Sequence, residues 1–134
     1  MAREVFKFKK IIVTAALPYA NGEVHLGHVC STYLPADVLV RFFRLKGEDV
    51  VFVCATDDFG TPILIEAEKE GKSPEEFVAH WHEVDSKDFS DLGISFDIFY
   101  KTSSEENVKL TQYFFKELYE RGFIFKKLIW QPYC

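Results

Sequence analysis

The chain has 134 residues, about the length of one domain, and is 48% hydrophobic and 28% charged, which excludes a disordered polypeptide. A formal net charge of -5 argues against a stand-alone nucleic-acid-binding module, which would present a basic face. It leaves open a catalytic domain that meets nucleic acid through other parts of a longer protein.

Cys30, Cys54 and Cys134 form no CxxC pair, so no disulfide framework is expected and a reduced, cytoplasmic setting is. Met1 to Lys10 alternates basic and apolar residues without the continuous apolar run that a signal peptide or membrane span needs.

In chain order, Ile11 to Ala16 is an apolar, partly β-branched run that reads as a buried parallel strand, stopped by Pro18 and a turn over Tyr19-Ala20-Asn21-Gly22. A helical pattern follows from about Leu26 to Lys46, with Val38, Phe42 and Leu45 at spacings of three and four. Pro35 predicts a kink or restart within it, and Gly47 a C-terminal cap. Val50 to Ala55 is a second buried strand, completing a βαβ unit. Thr61-Pro62 opens a helix that ends near Gly71. Ser73 and Glu76 form a capping box for a helix running to about Asp91, with Gly93 beyond its end.

Asp97 to Tyr100 reads as a short strand, and Ser103 with Glu106 as a second capping box. The helix that follows is expected to bury Leu110, Phe114 and Leu118 and to stop at Gly122. Phe123 to Trp130 is a possible last strand. His80, Trp81 and His82 read as one structural or exposed edge of a helix. Lys126-Lys127 reads as a solvated edge. The chain stops at Pro132-Tyr133-Cys134 directly after an apolar segment, as a piece cut from a longer protein would.

The segment that carries chemistry is the turn after the first strand, Ala16-Leu17-Pro18-Tyr19-Ala20-Asn21-Gly22-Glu23-Val24-His25-Leu26-Gly27-His28. In an open parallel sheet, ligands bind beyond the carboxyl ends of the strands, and a helix N-terminus there favours phosphate. Gly22 and Gly27 leave room for a ligand to approach the backbone. His25 and His28 are three residues apart and share a face of a first helical turn. Two imidazoles so placed can hold nucleotide phosphates and stabilise charge at an attacked phosphorus. By spacing alone they could equally be ordinary helix-start residues; a metal site with Cys30 is the weaker alternative, since no fourth ligand or second cluster is visible. The turn is neither a GxGxxG nor a P-loop.

His25-Leu26-Gly27-His28 resembles the signature of the class I aminoacyl-tRNA synthetases, and Pro18-Tyr19-Ala20-Asn21-Gly22 resembles their methionine branch. The leucine, isoleucine and valine branches usually have Pro where Ala20 stands. Cys54-Ala55-Thr56-Asp57-Asp58-Phe59-Gly60-Thr61-Pro62 is similar to the segment after the second strand in that branch. Gly93 to Asp97 and Ser103 to Asn107 add to the likeness, which covers nearly the whole chain. Phe59 departs from it, since the family often has His or Tyr there, so Phe59 is given no polar role.

The resemblance implies an α/β fold with a Rossmann-like parallel sheet and flanking helices. Residues 1–121 would form the first half of the catalytic domain, and residues 122–134 would begin the connective insertion. It implies a methionine–tRNA ligase, with methionine, ATP and tRNA as partners and Mg²⁺ accompanying the ATP.

His25 and His28 would be the catalytic residues, and with Gly27, Asn21 and Gly22 would bind ATP. Ala16, Leu17 and Tyr19 would line the methionine pocket. Asp57 would take the amino acid's ammonium, a role that fits a carboxylate at a strand end. From its residue type alone Asp57 reads as a turn or capping acid, and Asp58 more so.

The family's lysine-rich signature loop, the zinc-bearing Cys clusters of the connective domain and the anticodon-binding domain are not found in this sequence. The chain alone is therefore expected not to aminoacylate. Two alternatives remain: a synthetase-like nucleotide- or partner-binding module without catalysis, and a synthetase for a related hydrophobic amino acid.

Overall fold

The computed structural model describes residues 10–130, which divide into two compact units between Thr102 and Ser103. In the first unit, three strands form a parallel sheet in the order β1 (Ile11–Thr14), β2 (Val50–Thr56), β3 (Ile98–Lys101). Ile11 pairs with Val50, and Val53 with Ile98. The chain between β1 and β2 is α1 (Leu26–His28), a π-helical turn (Val29–Tyr33) and α2 (Leu34–Leu45). Between β2 and β3 lie α3 (Thr61–Lys69) and α4 (Pro74–Asp91). The expected α/β fold with a parallel sheet and flanking helices is therefore what the chain adopts. β1 stops at Thr14 rather than Ala16, which frees Ala15 to Pro18 to form the turn.

Strand residues alternate in direction. Val13, Phe52 and Cys54 turn toward the helices and join Tyr33, Val40, Phe89 and Ile94 in one core. The Tyr33 and Phe89 rings meet edge to face, 4.5 Å between centroids, which seats the π-helical turn against α4. On the opposite sheet face Ile12, Ile98 and Tyr100 are exposed. A smaller core of Ala20, Ile63, Ala67, Phe77 and Val78 joins α3 and α4 to the turn after β1.

Pro35 lies in the first turn of α2, so the helix restarts there as expected. The irregularity itself is the π-helical turn just before it. The apolar residues that mark α2 in the sequence face outward: Val38 is 58% and Leu45 89% exposed. The inward face instead carries Val40 and the buried Asp37. Asp37 accepts from Ser95 N at 2.7 Å, Ser95 Oγ at 2.6 Å and Arg41 Nε at 2.5 Å. Arg44 Nη2 donates to Asp97 at 2.8 Å, and the same Asp97 oxygen accepts from Phe52 N at 2.7 Å. These bonds tie α2 to the segment that leads into β3.

The Ser73–Glu76 capping box forms on α4 as expected. The second unit holds α5 (Glu105–Glu120), whose N-cap is Ser104, accepting from Asn107 N, not Ser103. Starting one residue later puts Glu105 and Glu106 in the first turn, where the helix dipole favours acids. Leu110, Phe114 and Leu118 do share a face but are exposed, contrary to expectation. Residues 123–130 form no strand, and Phe123, Phe125 and Trp130 are exposed. An apolar run becomes a strand only beside another strand edge, and none pairs with it among the described residues. Cys134 lies outside the described residues.

Candidate functional site

The turn after β1 is built as a continuation of the sheet. Asp57 N donates to Pro18 O at 2.7 Å and Ala20 N donates to Asp57 O at 3.0 Å, a parallel bridge just past the two strands. Ala20 is fully buried in the smaller core, so the turn is anchored from below. Tyr19 Oη donates to Phe59 O at 2.9 Å and closes the turn against the loop after β2. That contact depends on Gly60, which has φ 137° and whose missing Cβ would lie 1.8 Å from Tyr19 Oη. Neither Gly60 nor this clamp was foreseen from the sequence, where the only signal was a glycine before a helix start.

His25 is the N-cap of α1: its Nδ1 accepts from Gly27 N at 3.1 Å. A ring nitrogen that accepts carries no proton, so Nε2–H is the group left to donate to a ligand. The His25 and His28 rings stack 3.7 Å apart at 18°, so the two imidazoles act as one surface. Gly27 faces the His25 ring, with its missing Cβ 2.9 Å from Cε1; a side chain there would push the cap aside.

A cavity of about 300 Å³ opens beside this turn, lined by Ala16, Leu17, Pro18, Tyr19, Asn21, Gly22, Glu23, Val24, His28, Thr32 and Tyr33. It gathers most of the expected residues: Ala16, Leu17 and Tyr19 with Asn21, Gly22 and His28. His25 lines the neighbouring, larger cavity with Asp88 and Phe89. Asp57 is half-buried and abuts the site through its backbone bridge to Tyr19, without lining the cavity.

Thr32 and Tyr33 were not foreseen. Tyr33 follows His28 by five residues, far from a whole number of α-helical turns. The wider π turn between them lets both reach the same cavity.

Near the end of β2, Thr56 Oγ1 and His82 Nδ1 are 3.1 Å apart, and His82 stacks on Phe99. Burial holds the His82 imidazole below its ordinary value. Among the described residues no group of three or more His, Cys, Asp or Glu is gathered closely enough to hold a metal ion. No helix there is long and apolar enough to cross a membrane.

A parallel sheet whose first strand leads into a turn that opens a helix on the His25 cap, with the His28 ring stacked against it, is the layout of an open α/β domain with its crevice at the strand ends. Residues 11–134 match the family model of the class I tRNA synthetases (M), and the chain belongs to that family. Among curated relatives, the methionine–tRNA ligase of Pyrococcus abyssi is 52% identical over 125 residues, 93% of this chain and 17% of that protein. That of Bacteroides fragilis is 48% identical over 126 residues, 94% of this chain and 19% of that protein. The chain thus spans less than a fifth of these relatives. A crystal structure of the ternary complex of Agrobacterium radiobacter K84 agnB2 LeuRS with tRNA and LeuAMS superposes with a TM-score of 0.79 at 30% identity. It covers 85% of this chain and 15% of that one.

Proposed function

We propose that this chain supplies the half-site that activates methionine in a methionine–tRNA ligase. Methionine and ATP give methionyl-adenylate and pyrophosphate, and the methionyl group then passes to tRNA. The observation that carries the reading is the His25-Leu26-Gly27-His28 cap beside the 300 Å³ cavity. The methionine carboxylate attacks the α-phosphorus in line and pyrophosphate leaves, so catalysis is positioning and charge stabilisation. His25 Nε2–H and His28 donate to phosphate oxygens. Asn21, Gly22 and Gly27 form the backbone approach for ATP, and Ala16, Leu17 and Tyr19 the wall for the methionine side chain. Asp57 receives the ammonium after a side-chain rotation toward the cavity.

Mg²⁺ would accompany the ATP on its phosphate oxygens. Zinc would be held only in the connective domain of the whole ligase. Residues 1–121 belong to the first half of the catalytic domain and 122–134 begin the insertion. The setting is cytoplasmic, and tRNA is met largely by other parts of the protein.

The test is a chimaeric ligase in which this chain replaces the matching segment of the Pyrococcus abyssi relative. Methionine-dependent pyrophosphate exchange is expected, with leucine and isoleucine inactive. His25→Asn, which keeps a cap but loses Nε2–H, should lower kcat by about 10²–10³ with the fold unchanged. Wild-type exchange rates in that variant would remove His25 from the mechanism. The isolated chain is expected to show no exchange.

A further inference from the structure

One buried group has no part in the site as proposed. Asp85 lies on the inward face of α4, fully buried, and neither of its carboxyl oxygens has a hydrogen-bond partner. A charge so placed is costly, whereas the neutral acid is tolerated. Phe89, one turn beyond Asp85 on the same helix, meets the Tyr33 ring at 4.5 Å, so Tyr33, from the π-helical turn, and Cys54, from β2, share the core that this face of α4 covers, and Asp88 adjoins on the helix itself. Tyr33, Cys54 and Asp88 can only become more negative on ionising, so none neutralises a charge on Asp85. Two of them stand at or directly behind the wall of the cavity beside the histidine pair. Tyr33 lines it directly, and the Cys54 thiol points at the carbonyls of Ala15 and Ala16, 3.8 Å from each.

We propose that Asp85 is a positioning residue for this cavity: as the neutral acid it lets Tyr33 and the Ala15–Ala16 segment pack closely, and its ionisation loosens that wall. Burial, with Asp88 adding in the same direction, pushes its carboxyl up to about 7, so the change falls in the neutral range. The cavity's occupant rests on the function proposed above, but the coupling of Asp85 to the wall does not.

Carboxyl ¹³C and amide NMR of the chain, titrated through neutral pH, tests the coupling without any substrate. The Asp85 carboxyl is expected to titrate near 7, with the amides of Ala16, Leu17 and Thr32 shifting at the same midpoint. Asp85→Asn should hold those amides at their low-pH positions throughout. An Asp85 carboxyl already ionised in mild acid, or wall amides that stay still while it titrates, would overturn the proposal. In the chimaeric ligase, KM for methionine should then rise about tenfold per pH unit above the midpoint, and the Asp85→Asn enzyme should lose that rise. Failure of methionine activation leaves the NMR result standing, so the two readings fail separately.

Discussion

Asp37→Ala is expected to cost about 2–4 kcal/mol of stability, because it leaves two donors of Ser95 without their acceptor and removes the partner of a half-exposed Arg41. Asp37 is the hub through which α2 holds the segment entering β3, and it is itself buried. The loss is a large share of the roughly 5–15 kcal/mol that keeps a domain folded. Urea unfolding of the chain measures it, and a midpoint unchanged from wild type would show that the clamp is decorative. Asp37→Asn should cost less, since its side-chain oxygen still accepts from Ser95 N.

The same carboxylate sets an acid limit. Burial pushes the Asp37 carboxyl up, but hydrogen bonds from Ser95 and Arg41 outweigh it and leave the group below its ordinary value of 3.8. Its contribution is therefore complete above about pH 4 and is lost as pH falls through the folded-state value.

Gly60→Ala should act on the site rather than on the core. A φ of 137° is a conformation that an L-residue adopts only under strain, at a cost of about 1–3 kcal/mol. The new methyl would also overlap Tyr19 Oη at 1.8 Å, so Tyr19 must leave its bond to Phe59 O and the cavity wall shifts. A displacement on that scale is worth about 10²-fold in activation. The chimaeric ligase carrying Gly60→Ala should show it in methionine-dependent exchange. Tyr19→Phe in the same chain should recover part of the loss, because the clashing oxygen is gone. Full activity of Gly60→Ala would mean that the Tyr19 clamp is not needed.

How much of this was legible can be argued residue by residue. The β-branched runs at Ile11 and Val50 announced parallel strands, but not that one face of the sheet would stay uncovered, since Ile12 is 68% exposed where burial was expected. Ser73 and Glu76 announced α4 because a capping box is satisfied locally, within one turn. The His25-Leu26-Gly27-His28 turn was legible through its resemblance to a family signature, since spacing alone left a plain helix start open, and its cap is made within three residues.

What failed depends on distant partners. Val38, Leu45, Leu110 and Phe114 show that a helix has an apolar face, but periodicity does not say whether anything covers that face. Ser103 and Ser104 offered two registers for one cap, and the choice lay in where the acids met the helix dipole. Tyr33 was hidden by the π turn, because arithmetic based on 3.6 residues per turn aims it elsewhere. Asp85 gave no sign at all, as a lone acid in a polar helix reads as solvated.

The two described cysteines turn the molecule into its own stopwatch. Cys30 is exposed, whereas Cys54 is buried beneath the Ala15–Ala16 turn and its thiol is pushed up to about 11, by burial first and also by Asp85. A thiol reacts as thiolate and only when reached, so alkylating reagent takes Cys30 at once and Cys54 only in molecules that have opened. The lag between the two labels, followed by mass spectrometry of peptides, is expected to read the opening rate of the wall beside the histidine pair. Equal labelling rates would mean that the wall is open in the resting molecule.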